Sequence, residues 1–354
     1  MAEQWVTLED IRAAQQRLAG TAVRTGLHRV PPERLVTAGI SEVPFALYIK
    51  AESEQPIGSF KLRGSYNRVA QLSRDQLERG VVTYSSGNHG QGVAYAARSL
   101  GAKAVIVMPD NVPPIKRDAV AALGAEIVLV GPASSERREK AEQLALRFGY
   151  TIIPPYDDPA IIAGQGTCGL EILEQLAEPT QEQGSTLILS AVSGGGLLSG
   201  IATAVKLAAP ASAKFQVWGA EPELAADAKE SFESRKLVQW AASQTTRTIC
   251  DGLRTQSLGS LNFQHILRYV DGIITVAEDE IRAAMRVMVQ ATGLVPEPSG
   301  AVALAAALFR HQTLPSASSV VAVLSGGNIE PEHRRELEQA ALPPARQSES
   351  KGSE

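Results

Sequence analysis

Short apolar runs recur along the chain, each followed by a glycine-bearing turn and then by an alanine-rich or charged amphipathic stretch. Val81–Tyr84 leads into Ser-Ser-Gly-Asn-His-Gly and the helix-like segment Gln91–Gly101. Ala104–Met108 is followed by a proline-rich turn and a segment ending at Gly124. Ile127–Val130 precedes a charged stretch from Ser134 to Gly149. Leu187–Val192 runs into Ser193–Gly200, and Phe215–Ala220 and Val320–Leu324 repeat the theme. Near-continuous apolar runs of strand length are what a parallel strand buried on both faces requires. Strands alternating with helices predict an α/β chain of open, twisted, mainly parallel sheets flanked by helices.

The N-terminal residues show no apolar signal core and read as an amphipathic helix with Thr7 as N-cap. No apolar run is long enough to span a bilayer. The proline-rich, acidic segment Pro154–Pro159 is the best candidate for a crossing between domains. Residues 343–354 are polar and read as a disordered tail, and no regulatory module fits after Ala341. A net charge of −4 with no basic cluster gives no reason to expect nucleic acid. Cys168 and Cys250 lack metal-type spacing and suit a reduced cytoplasm.

The candidate chemistry sits in four segments. Gly58-Ser59-Phe60-Lys61-Leu62-Arg63-Gly64 holds a lysine that would by itself be a solvated charge. A lysine that forms a Schiff base must instead be desolvated among small or apolar neighbours. Ser85-Ser86-Gly87-Asn88-His89-Gly90 falls between a strand and a helix, where main-chain N–H groups and the helix dipole attract an anion. Ser193-Gly194-Gly195-Gly196-Leu197-Leu198-Ser199-Gly200 has the same placement. It lacks both the GxGxxG order of a dinucleotide turn and the Gly-Lys-Ser/Thr ending of a P-loop, so it suits a phosphate held by main chain alone. Leu324-Ser325-Gly326-Gly327-Asn328 follows an apolar strand and is by itself an ordinary turn.

Together and in this order, the four segments resemble the tryptophan-synthase-β-like, fold type II pyridoxal-phosphate enzymes. The similarity is greatest to the branch of threonine/serine dehydratases and serine racemases. Asp157–Thr167, Asp251–Gly259 and Pro296–Ala306 look like that branch too, so the resemblance spans about Leu8 to Asn328. It implies two sheets in two domains with the cofactor in the cleft: a large domain of residues 1–70 and 155–342, and a small one of 71–154. It implies that Lys61 carries pyridoxal phosphate as a Schiff base and takes the Cα proton, with Phe60 packed on the cofactor. Asn88 would bind the 3-oxygen. Ser193, Gly194, Gly195, Gly196 and Leu197 would bind phosphate, and Ser325 would face the ring nitrogen. Glu297 would lie near the ring, unless it is a helix cap. Ser85, Ser86, Asn88 and His89 would bind the substrate carboxylate.

A neutral serine at the ring nitrogen favours protonation less than a carboxylate would. The resulting weaker electron sink suits expulsion of a β-leaving group. The expectation is therefore β-elimination of water from L-threonine or L-serine, giving a 2-keto acid and ammonia. Racemisation is the alternative, because a serine at position 86 acts in racemase relatives as acid/base on the face opposite the lysine. The simpler reading is that Ser86 only lines the carboxylate site. Arg138 aligns with a racemase-branch arginine that reaches the substrate, which would matter for 3-hydroxyaspartate; aryl-serines are another alternative. Glu221, the Ala225 carbonyl and Asp227 resemble the branch's magnesium or calcium site. Pro56 and Ile57 depart from residues that bind nucleotide in animal serine racemases. Tyr156 falls at a variable position near the ring. A homodimer is the expected assembly. β-Replacement and non-catalytic binding remain rival classes.

Overall fold

The computed structural model describes residues 5–40, 43–85, 87–131, 134–177 and 184–340. Among these residues, ten strands form two sheets. The first contains β1 (Leu27–Arg29), β2 (Ala46–Ala51), β7 (Ser185–Ala191), β8 (Lys214–Pro222), β9 (Gly272–Val276) and β10 (Ser319–Leu324), in the spatial order β1-β2-β10-β7-β8-β9. Only the β1–β2 pair in it is antiparallel. The second contains β3 (Val81–Tyr84), β4 (Ala104–Pro109), β5 (Glu126–Val130) and β6 (Thr151–Ile152), in the order β5-β4-β3-β6, all parallel. The central strands β4 and β10 are buried at every position, as strands covered on both faces must be. Among the described residues, no helix is long and apolar enough to cross a membrane.

Both sheets read as the apolar runs predict, with four additions: β1, β2, β6 and β9. β2 escapes a hydropathy reading because Lys50 interrupts it, yet Lys50 is fully buried. The Leu8–Leu18 helix is capped by Thr7, whose side chain accepts the Asp10 N–H while Asp10 accepts the Thr7 N–H. The chain leaves the second sheet after β6, through Pro154–Asp158, and enters the helix Pro159–Leu176. The sequence tail from 341 onward lies outside the described residues.

The Pro159–Leu176 helix organises the interior. It packs between the Lys61–Val69 helix and the Gly196–Ala208 helix. The approach is close enough that a Cβ at Gly200 would stand 2.6 Å from the Gly166 nitrogen, and one at Gly164 would stand 2.7 Å from the Gly64 Cα. Side chains of this helix then enter a buried ionic network. Arg63 donates two 2.7 Å bonds to Glu52, and bonds of 2.7 and 2.8 Å to Glu171. Lys50 donates at 2.6 Å to Glu171 Oε2, which also accepts from Arg63, and to the Thr25 carbonyl and Gln175. Two cations and two anions thus balance out of water. Burial pushes the Glu52 carboxyl up, but the Arg63 guanidinium and the Lys50 charge more than offset it and hold it low.

Removing one member of such a network strands a buried charge, which costs about 3–5 kcal/mol. Arg63→Met, which strands Glu52 and leaves Glu171 to Lys50 alone, is expected to lower unfolding stability by that amount. Lys50→Met is expected to cost less, because Glu171 keeps Arg63. Denaturant midpoints at constant m-value check the order, and equal or reversed losses would contradict it.

Candidate active site

The C-terminal ends of parallel strands are where open α/β sheets place ligands, because helix N-termini and glycine turns gather there. Here the segments after β2, β7 and β10 face the segment after β3 across a cavity of about 240 Å³. Phe60, Lys61, Ser85, Asn88, His89, Ser193, Gly194, Gly195, Gly196, Leu197, Glu297 and Ser325 all line it. Two main-chain contacts bring distant segments together: the Phe60 N–H donates to the Ser325 carbonyl at 3.0 Å, and Ser59 bridges Gly326.

Lys61 opens the Lys61–Val69 helix, and its Nζ donates to the Pro155 carbonyl at 2.8 Å. The ammonium lies 5.2 Å from the Phe60 ring centroid. Burial without a carboxylate partner lowers its pKa from 10.5 to about 8. Such an amine reaches the neutral, nucleophilic form near neutral pH.

The glycine turn after β7 ends at Gly195, which has φ +98° and begins the Gly196–Ala208 helix. A Cβ there would also meet Asn262 at 2.8 Å, so both conformation and space demand glycine. The first-turn N–H groups of a helix have no partner within it and point outward, ready for an anion. A Cβ on Gly194 would run into the Tyr156 ring, so this glycine also makes room for that aromatic wall. Ser193 Oγ shares a 2.6 Å hydrogen bond with Thr255 Oγ1. Burial pushes the Tyr156 phenol up to about 12.

Asn88 starts the Asn88–Ser99 helix. Its Nδ2 donates to Glu297 at 2.6 Å, and its Oδ1 accepts from Asn328 at 2.8 Å. Two flanking groups fix the amide plane and leave one N–H of Nδ2 for a ligand. Glu297 stands at the N-cap of the Pro298–Phe309 helix but makes no side-chain cap bond. It reaches Asn88 instead, and its other oxygen is buried without a hydrogen-bond partner. Burial raises its pKa to about 7, opposed by Lys116 and reinforced by Asp251. Ser325 is nearly buried at the end of β10, a neutral hydroxyl 3.4 Å from the Ser299 carbonyl.

The His89 side chain is engaged within the protein. Its Nε2 meets the Ile153 carbonyl at 3.1 Å and its Nδ1 meets Ser65 at 3.3 Å. Burial, with the Lys61 charge nearby, depresses its pKa to about 3. With both ring nitrogens held by protein, His89 is left with its main chain to offer an anion. Ser85 Oγ accepts the Gly87 N–H and shapes the same turn. Ser86 lies outside the described residues.

Arg138 is exposed on the Ser134–Phe148 helix and paired with Glu142 at 2.8 Å; it does not itself line the cavity, although its charge acts on the lining residues Tyr84 and Tyr156. Arg137, one residue and about 100° around the helix from it, lines the cavity instead. Helical phase from sequence alone does not reveal which of two adjacent arginines faces inward. Lys116, Asp251, Tyr156 and Thr255 also line the site, and Asn328 orients Asn88. Asn328 closes the Leu-Ser-Gly-Gly-Asn segment, but nothing in the spacing of that segment reveals its part.

At the end of β8, Glu221 accepts main-chain N–H groups of Lys229 at 2.6 Å and Ala228 at 3.3 Å, in the first turn of the Asp227–Ser234 helix. Ala225 ends an adjoining 3₁₀ turn. Asp227 Oδ2 is buried without a partner. Burial raises both carboxyls, Glu221 further by the charge of Asp227, and Asp227 to about 7. Among the described residues, no cluster of three or more His, Cys, Asp or Glu side chains is placed to hold a metal.

A desolvated lysine between two helix-capping anion turns at the ends of parallel strands defines an enzyme that holds a phosphorylated aldehyde. The chain belongs to the family described as pyridoxal-phosphate dependent enzyme, whose model matches residues 27–326. It is 37% identical to the L-threo-3-hydroxyaspartate ammonia-lyase of Saccharomyces cerevisiae, over 80% of this chain and 83% of that one. It is 34% identical to the serine racemase of Schizosaccharomyces pombe, over 92% and 94%. The crystal structure of a threonine deaminase from T.th. superposes with a TM-score of 0.82 at 42% identity, covering 92% of this chain and 99% of that one.

Covalent attachment through an amine requires its neutral form. Cofactor uptake by the apoprotein should therefore rise with pH through about 8, the folded value for Lys61. Visible absorbance after mixing, followed across pH, measures this. An inflection near the ordinary lysine value would show that burial does not tune Lys61.

Proposed function

We propose that the protein is an ammonia-lyase that removes water from a β-hydroxy amino acid, L-threonine or L-serine, releasing a 2-keto acid and ammonia. The observation that carries this reading is Lys61: an amine lowered to about 8 by burial, set between two anion-binding turns. Pyridoxal phosphate, when bound, supplies an aldehyde for amines and a ring that draws electrons from the substrate Cα. The N–H groups of Gly194–Leu197 and the Ser193 segment would hold its phosphate. Asn88 would hold its 3-oxygen, Ser325 its ring nitrogen, and Phe60 and Glu297 would flank the ring.

The remaining work falls to the chain. The Ser85–Gly90 turn holds the substrate carboxylate and so sets which Cα bond stands perpendicular to the ring. Lys61, once neutral, accepts the Cα proton. The neutral Ser325 hydroxyl disfavours a positive ring, which suits prompt loss of the β-hydroxyl over a long-lived carbanion. We place the site in the cleft between a small domain of residues 71–154 and the remainder, in a cytoplasmic homodimer, on the family resemblance.

A second reading is favoured by Arg137 at the cavity wall: a substrate with a second carboxylate, such as 3-hydroxyaspartate. Keto-acid and ammonia release from L-threonine, L-serine and threo-3-hydroxyaspartate decides between them. Release from threonine or serine supports the first reading, and no release from either sinks it. If hydroxyaspartate is preferred, Arg137→Gln should lower its kcat/KM by roughly 10- to 100-fold, the usual cost of losing a charged hydrogen bond. Chiral analysis of serine in the same mixtures, with Ser86→Ala, reads out racemisation.

We also propose a divalent cation held by Glu221, the Ala225 carbonyl and Asp227, on the strength of the partnerless Asp227 oxygen. Both carboxyls bind protons more tightly folded than unfolded, where their ordinary values are 4.5 and 3.8. The Asp227 contribution to stability is therefore full below about pH 4 and declines as pH rises through about 7, and the Glu221 contribution declines in the same direction. A cation favours the ionised forms and removes that decline. Magnesium should raise the thermal midpoint more at pH 8 than at pH 6, and Asp227→Asn should abolish the effect. Equal midpoints with magnesium and with chelator at both pH values would refute the site.

A further inference from the structure

The edge of the cavity holds an ion pair that the chemistry above leaves unused. Lys116 stands in the first turn of the Pro114–Ala122 helix, which follows β4 of the second sheet. Its ammonium donates to Oδ2 of Asp251, in the 3₁₀ turn Asp251–Leu253 on the other side of the cleft. Lys116 is 9% exposed at the side chain and Asp251 is 32% exposed, so this is a largely desolvated pair. An isolated ammonium there would be costly, which makes the pairing obligatory rather than ornamental.

Three contacts connect the pair to the amino-acid site. The Lys116 stem packs under Gly87: a Cβ at Gly87 would lie 3.2 Å from Lys116 Cδ and 3.4 Å from Nζ. The next residue, Asn88, is held from the opposite side by Glu297 and Asn328. Asp251 sits on an anchored segment, since the Gly252 N–H donates to Ser299 Oγ at 3.0 Å, within the helix that Glu297 begins. The pair also stands between the 240 Å³ cavity and a neighbouring one of about 570 Å³, and lines both.

We infer that Lys116 and Asp251 form a cross-cleft tie that positions the Ser85–Gly90 turn for the substrate carboxylate. Lys116 is thus a positioning residue, acting through Gly87. The inference rests on reading this cavity as the amino-acid site. Its geometry predicts a defined signature. With the tie broken, the turn loses its floor while Lys61 and the glycine turn after β7 keep their own contacts. Substrate binding should suffer, and the rate with it, because the turn that holds the carboxylate also orients the Cα bond.

The test uses cofactor-loaded protein and four variants: Lys116→Met, Lys116→Arg, Asp251→Asn and the exchange Lys116→Asp with Asp251→Lys. Lys116→Met and Asp251→Asn should each raise KM by roughly tenfold or more and lower kcat as well, because the turn that binds the carboxylate also orients the Cα bond. Their effects should be non-additive, and Lys116→Arg should restore most of the loss. Hydrogen exchange, with no substrate present, should show faster exchange at Ser85 and Gly87–Gly90 in Lys116→Met. It should not do so in Lys103→Met, which breaks the exposed Lys103–Glu126 pair of the same sheet. Wild-type exchange at the turn in Lys116→Met, or a kcat loss with KM unchanged, overturns the tie. If wild-type protein releases no keto acid, the functional reading fails, and hydrogen exchange still decides the tie. If the Lys116→Met protein does not fold, the arginine and exchange variants decide it: exchange rates at the turn that fail to follow the presence of a pair overturn it.

Discussion

The bidentate pairing of Arg63 with Glu52, extended through Glu171 to Lys50, is the interaction on which the site's construction depends. Arg63 lies two residues after Lys61 on the same helix, so whatever fixes the guanidinium fixes the start of that helix. Glu52 follows β2, and Glu171 belongs to the helix that also packs on Gly196–Ala208. One network therefore joins the lysine, the first sheet and the helix bearing the phosphate-type turn. Charges replaced by apolar residues of the same shape could be equally stable. What the ionic version adds is direction: fork-to-carboxylate bonds fix rotation and register in a way that apolar packing does not.

Desolvation then does opposite things to neighbouring groups, and that contrast makes the cavity chemically useful. It lowers Lys61 toward neutrality and raises Glu297 toward its neutral form, while depressing His89 so far that the imidazole carries no charge. A cavity with few fixed charges at its floor suits a cofactor and substrate that bring phosphate and carboxylate of their own. Main-chain N–H groups and helix N-termini, which do not titrate, would meet those anions. Beyond Lys61 and Glu297, the charged side chains that line the cavity, Lys116, Arg137, Asp251 and Arg254, stand on the segments after β4, β5 and β8.

Much of this was legible in the chain because parallel sheets write themselves as apolar runs ended by glycine. Val81–Tyr84 coincides with its strand, and Ala104–Met108 and Val320–Leu324 differ from theirs by one residue. β2 was not legible, since a buried lysine breaks its pattern and only distant partners at 25, 171 and 175 make its burial tolerable. Arg138 and Arg137 show the same limit on a smaller scale. The family resemblance implies an arginine near the cleft, but one residue of helical phase decides which of them lines it.

The sequence by itself determined the class of fold and the glycine turns, because these depend on local backbone demands: strand-length apolar runs, a positive φ at Gly195, a helix start after each turn. Only the tertiary structure decided which polar groups meet. Asn88 with Glu297 and Asn328, His89 with Ile153, and Lys116 with Asp251 join residues 64 to 240 positions apart. Such pairings leave no periodic trace, since a hydrogen bond or ion pair depends on where two surfaces come together and on how little water remains between them.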